Sequence, residues 1–86
     1  MTIHELKTVQ PFFNDIWNGI KKFDVRLNDR DFKVGDFLLL KEYGLKGYEP
    51  REILCEIIYF FNGWLMLKEG YVVLGIKVKE KRNIGG

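Results

Sequence analysis

Apolar residues in this chain recur at every second position in segment after segment, and at helical spacing only once. That rhythm confines the fold to a small β-structure with a single helix. Phe23 to Asn28 show the pattern most cleanly: Phe23, Val25 and Leu27 fall on one face of an extended chain, and Asp24, Arg26 and Asn28 on the other. Tyr71 to Val78 repeat it, with Val72, Leu74, Ile76 and Val78 pointing inward and Gly75 at the place of a bulge. Glu52 to Phe61 put Ile53, Cys55, Ile57, Tyr59 and Phe61 on one face. Phe37 to Lys41 are nearly all apolar, as in a strand covered on both faces. Ile3 to Val9 are expected to open the fold as a strand, because Ile3, Thr8 and Val9 favour extended backbone.

The one helical signal follows at once. Pro11 suits a first helical position, Phe12, Phe13, Ile16 and Trp17 form an apolar stripe, and Gly19 ends the helix by entering the left-handed region cheaply. So short a helix does not persist alone in water, so its stripe has to dock on an apolar surface. Breakers place the connections: a loop over Asp29 to Val34, a turn at Gly35-Asp36, a loop over Gly44 to Pro50, and a two-residue turn at Asn62-Gly63. Trp64 to Glu69 fit a short strand, a loop or one helical turn alike. Residues 1–78 read as a single domain and 79–86 as a flexible polar tail. The expected fold is α+β, mostly β: a small β-barrel of about five strands with an N-terminal helix packed on it.

Bulk chemistry narrows the function. The 86 residues suffice for one domain, and a 47% hydrophobic content supplies its core. Fourteen Lys and Arg oppose twelve Asp and Glu, and a net charge of +2 is too small for indiscriminate grip on a phosphate backbone. Any nucleic-acid contact has to be local. A single cysteine, Cys55, and a single histidine, His4, exclude an internal disulfide and a four-ligand structural zinc site, and no metal or cofactor is expected. The longest apolar runs, Phe37 to Leu40 and Ile57 to Phe61, fall far short of the roughly 20 residues that span a bilayer. The start of the chain lacks a signal-peptide pattern, and a reducing, cytoplasmic setting is expected with no membrane partner.

The polar face of Phe23 to Asn28 invites a functional reading. Asp24, Arg26 and Asn28 stand about 7 Å apart in succession, and Lys21 sits where the chain leaves the helix, within reach of the same face. Such a row suits a planar polar ligand, with Arg26 as the most directional donor. Lys21 to Lys33 carry five basic residues and three acidic ones. Carboxylates in the patch disfavour a pure phosphate grip and favour a base, whose exocyclic amines they accept. The plainer alternative is a set of surface ion pairs, each worth roughly 0–1 kcal/mol.

Gly19-x-Lys21-x-x-Asp24-x-Arg26 resembles the ASCH signature Gly-x-Lys-x-x-Glu-x-Arg, with Asp in place of Glu. His4-Glu5-Leu6-Lys7, the run Asn28-Asp29-Arg30-Asp31-Phe32-Lys33-Val34-Gly35-Asp36, and Lys68 to Leu74 also resemble one bacterial and phage family of unknown function related to ASCH. The resemblance spans His4 to Lys77. It implies a PUA-like β-barrel, a fold often tied to RNA binding, with a cleft between helix and barrel. The implied cleft uses Lys21, Asp24 and Arg26, with Asn28 and Arg30 nearby. Some ASCH relatives hydrolyse N4-acetylcytidine with a Lys at this position and a Thr three residues later. Here Asp24 replaces that Thr, so the hydroxyl nucleophile is missing.

Other candidates are weaker. Lys7 resembles a family-typical position facing the cleft, and His4 is a possible ligand contact, although a lone histidine near a strand start is more often structural. Cys55 alternates with core residues and reads as a buried hydrophobe. Phe12, Phe13 and Trp17 fit core packing better than base stacking, whereas Tyr43, Tyr48 and Trp64 are freer to stack. Lys77, Lys79, Lys81 and Arg82 read as solvated charge. The favoured function is binding of RNA or a nucleotide, with Lys21, Asp24, Arg26, Asn28, Arg30, Lys7 and His4 as ligand-binding candidates. One alternative is a small hydrolase acting on RNA or an acylated nucleoside, with Lys21 or Asp24 catalytic. Against it, a carboxylate beside the lysine favours the charged ammonium over a base. A protein-interaction module working through a strand edge is the third reading.

Overall fold

A computed structural model of the protein describes residues 1–63 and 66–85. The elements run β1 (Ile3–Thr8), α1 (Phe12–Trp17), β2 (Phe23–Leu27), β3 (Phe37–Gly44), β4 (Gly47–Phe61) and β5 (Tyr71–Asn83). All five strands share one sheet in the order β1-β3-β4-β5-β2. It curls into a half-barrel. β1 pairs with β3 in parallel, and the other neighbours pair antiparallel. The parallel pair is possible because α1 and β2 supply the long crossover that such a connection needs. Among the described residues, β1 and β2 do not pair with each other, so the barrel is left open along those two edges.

The core lies on the inner face of the curl. Leu38 and Leu40 from β3, Ile53, Cys55 and Ile57 from β4, and Val72, Leu74 and Ile76 from β5 form it, with Phe32 from the loop before β3. The helix seals it with Phe13 and Ile16, both fully buried. α1 is not the N-terminal element, since β1 precedes it. Pro11 stands just before the helix as its N-cap, and the Gln10 side chain accepts the Asn14 N–H at 3.0 Å. At the other end Gly19, at φ +77°, lets Gly19 N–H reach Ile16 O and Ile20 N–H reach Asp15 O, the paired bonds of a Schellman motif.

Three expectations are corrected. Gly44 to Pro50 are not a loop: Gly44 pairs with Gly47, and only Leu45 and Lys46 connect the strands. Pro50 is tolerated inside β4 because the β3–β4 register slips between Lys41 and Tyr43, where no ladder bond to β3 is lost. Residues 79–83 are strand and not tail: residues 80–83 pair with Arg51 to Leu54, and Lys79 sits at a register shift. Their cations find acids on β4, with Lys79 Nζ 3.2 Å from Glu56 and Arg82 Nη1 3.0 Å from Glu52. β3 buries Leu38, Leu40 and Glu42, while its other face is only partly covered. The undecided Trp64 and Leu65 lie outside the described residues, and residues 66–70 carry turns.

A bulge at Ile58, opposite Gly75, breaks the alternation of β4. Tyr59 therefore turns outward instead of inward, and Phe60 packs on the core. A Cβ on Gly75 would stand 2.7 Å from Tyr59 Cβ, so this close crossing requires glycine.

The orientation of β2 decides the site. Its polar residues face the interior: Asp24 is 4% exposed, whereas Phe23, Val25 and Leu27 lie half-exposed outside. An edge strand with apolar residues outward and a carboxylate inward inverts the usual arrangement.

Candidate functional site

β1 and β2 are four places apart in the sheet order, yet side chains tie them together across the open edge. Arg26 Nη2 donates to Thr8 Oγ1 at 3.0 Å, and Arg30 Nη1 donates to the Glu5 carbonyl at 2.7 Å. The seam holds two grooves that meet at Arg26 and Lys7. Inner-face side chains of the edge strands, Leu6, Thr8, Asp24 and Arg26, form its floor.

The first groove encloses about 510 Å³, and its exposed surface is mainly polar. Lys7, Arg26, Arg30 and Lys41 bring positive charge to it, against Glu5 and Asp29. Lys41 Nζ lies 3.5 Å from Glu5, and Arg30 Nε 3.9 Å from Asp29. Tyr48, 61% exposed, forms one wall. Lys7 Nζ stands 4.7 Å from the Tyr43 ring centre and 5.8 Å from that of Tyr48. The ammonium and the two rings thus form one cationic, aromatic platform.

The second groove, about 490 Å³, is mainly apolar in its exposed surface. Phe12, Phe23, Val9 and Val25 supply that surface. The Asp24 carboxylate lies at the base. Arg26 Nε donates to its Oδ2 at 2.6 Å, and Lys21 Nζ lies 3.8 Å from its Oδ1. The Lys21 ammonium also stands 4.4 Å from the Phe12 ring centre and 5.2 Å from that of Phe23. A carboxylate and two ring faces therefore hold it in place. The Schellman turn aims it there: Lys21 N–H bonds Asp15 O at 2.9 Å, so the chain leaves the helix directly over β2. Lys21, Asp24 and Arg26 thus share one recess. Among the described residues no hydrogen bond occupies Arg26 Nη1, and none reaches Asp24 Oδ1.

A family model for a domain of unknown function, DUF3850, matches residues 3–76. The chain belongs to that family. The match takes in every groove residue of this DUF3850 domain. No curated protein matches the chain.

The remaining candidates fall elsewhere. His4 of this DUF3850 chain lines neither groove. Its Nε2–H donates to Asp36 Oδ2 at 3.0 Å and its ring packs edge-on to Phe32, so it ties β1 to the start of β3. The bond from His4, with backbone N–H groups of Thr2 and Lys33, holds the Asp36 carboxyl below its ordinary range. Asn28 Oδ1 accepts Phe32 N–H at 3.2 Å and braces the loop, again outside the grooves. Arg30 and Lys7 do line the seam. Cys55 is fully buried, and burial together with the nearby Asp24 charge pushes its thiol up to about 12.

Sequence reasoning missed Thr8 and Lys41, because nothing local brings β1 and β3 to β2. Phe12, which the apolar stripe assigns to the core, is half-exposed beside Lys21; the stripe narrows to Phe13 and Ile16, with Trp17 partly buried. Also unforeseen is a brace behind the site. Arg51 donates to both Glu42 oxygens at 2.9 and 2.8 Å and to Asn14 Oδ1 at 2.6 Å, while Gln10 Nε2 donates to Glu42 at 2.8 Å. The Arg51 guanidinium also lies 5.1 and 5.0 Å from the Phe13 and Trp17 ring centres. The brace pins α1 to the β3–β4 hairpin, and Arg51 holds the Glu42 carboxyl below its usual range. Among the described residues no cluster of three His, Cys, Asp or Glu side chains is arranged to hold a metal. No helix among them is long and apolar enough to cross a membrane.

Proposed function

We propose that the open seam between β1 and β2 binds RNA or a nucleotide. One observation carries this reading: two grooves meet at a guanidinium whose Nη1 has no hydrogen bond among the described residues, bordered by cations and by exposed aromatic rings. Aromatic faces accept stacked bases, and a few cations suffice for a few phosphates. The half-barrel and the ASCH-like Gly19-x-Lys21-x-x-Asp24-x-Arg26 signature support a PUA-like relationship, which belongs to the same proposal.

The hydrolase alternative has less support. Lys21 and Asp24 neutralise each other, and Asp24 Oδ2 is already engaged by Arg26. A protein-interaction role has one observation, the half-exposed apolar face of β2, and nothing in the structure identifies what covers it.

The test is a backbone-resonance titration with the four mononucleotides and a short single-stranded RNA. Shifts are expected to cluster at Lys7, at residues 21–30 and around Lys41 and Tyr48. Unmoved resonances there at millimolar ligand refute the proposal.

A further inference from the structure

We infer that the two grooves divide a nucleotide between them, the base entering the Asp24 groove and the phosphate the Arg30–Lys41 groove, and that the base carries an exocyclic amine. The inference rests on the nucleotide reading above and assigns it a direction.

The two grooves differ in chemistry. The first carries four cations against two carboxylates on a mainly polar surface, which matches a phosphate. The second has mainly apolar walls, including the half-exposed rings of Phe12 and Phe23, which match the faces of a base. Its floor sets an acceptor beside a donor: Asp24 Oδ1, which no hydrogen bond reaches among the described residues, with Lys21 Nζ 3.8 Å away. A ring edge that offers an N–H₂ group beside a ring nitrogen or carbonyl complements that order. Cytosine presents N4–H₂ beside N3; uracil presents O4 at the same place, against a carboxylate. Arg26 lines both grooves, so a nucleotide with its base beside Asp24 meets the first groove at Arg26.

CMP and UMP provide the decisive comparison, because they differ only at that edge. Affinities for cytidine, uridine, CMP and UMP are measured by calorimetry on the full chain and on Asp24→Asn and Arg30→Gln/Lys41→Gln. CMP is expected to bind at least about fivefold tighter than UMP, the low end of what one base-edge contact discriminates. Asp24→Asn should abolish that ratio and keep the gain from nucleoside to nucleotide. Arg30→Gln/Lys41→Gln should do the reverse. Equal affinity of the wild-type chain for CMP and UMP, or a phosphate gain that survives the double variant, overturns the division while leaving the binding site in place. Absence of binding by all four ligands, and by AMP and GMP, overturns the underlying nucleotide reading. Should Asp24→Asn fail to fold, the wild-type ratio and the double variant still decide the matter.

Discussion

Asp24→Ala is expected to destabilise the fold by about 2–3 kcal/mol, and replacing Asp24 and Arg26 together by leucine is expected to restore most of that loss. The Asp24 side chain is 6% exposed, Lys21 15% and Arg26 23%. Removing one partner of a buried pair typically costs about 3–5 kcal/mol, because the other charge stays uncompensated. Partial exposure of both cations lets water recover part of this, which gives the lower figure. Asp24→Asn keeps an acceptor for Arg26 Nε and should cost only about 1–2 kcal/mol. The double leucine variant leaves only Lys21, the more mobile cation, without its acid, and a packed apolar pair is often no less stable than the ion pair it replaces. Urea unfolding measures each step. With a slope of about 1 kcal/mol/M, Asp24→Ala lowers the midpoint by roughly 2–3 M. A loss of under about 0.5 kcal/mol would show that water solvates the carboxylate, and the inward orientation of β2 would be wrong. A double variant as unstable as Asp24→Ala would show that the pair holds the fold together rather than equipping the groove.

Further outcomes are expected from the same structure. Arg51→Ala frees α1 from the hairpin and strands Glu42; it should cost about 2 kcal/mol, read as a fall in Tm of roughly 8–16 °C. Asp36 and Glu42 have lowered folded values, so the stability they add is full above their ordinary values of 3.8 and 4.5 and disappears as pH falls through the lower folded ones. Denaturation at pH 7, 4 and 3 should show this loss, and Asp36→Asn should flatten it. Gly75→Ala drives a Cβ to 2.7 Å from Tyr59 and should cost about 1–3 kcal/mol by thermal melting, whereas a neutral result would place the β4 bulge elsewhere. Cys55, buried with its thiol near 12, should resist a thiol reagent at pH 8 until the chain unfolds; labelling at the rate of a free thiol would contradict its burial.

Much of the fold was legible. Val72, Leu74 and Ile76 are inward as their alternation requires, and Gly19 ends the helix in the left-handed region. The errors share a cause. Gly44, Gly47 and Pro50 read as breakers because local propensity cannot see a register slip that accommodates a proline. Residues 79–83 read as tail because their polarity hides the acids waiting on β4. Alternation points Tyr59 inward, and it faces out because one inserted residue, Ile58, reverses every later side chain.

The spacing of Asp24 and Arg26 puts them on one side of the backbone in any extended conformation, and the glycine-capped helix end brings Lys21 over the same face, so the sequence alone determined that the three are neighbours. It equally determined the helix, its cap and most of the core, since these depend on neighbours within a few residues. Only the tertiary structure decided that the polar side of β2 turns inward, and that Thr8 and Lys41 line the same seam. β1 meets β2 only when the sheet curls, and the curl is set by bulges and pairings between residues far apart in the chain, whose effect no local pattern encodes.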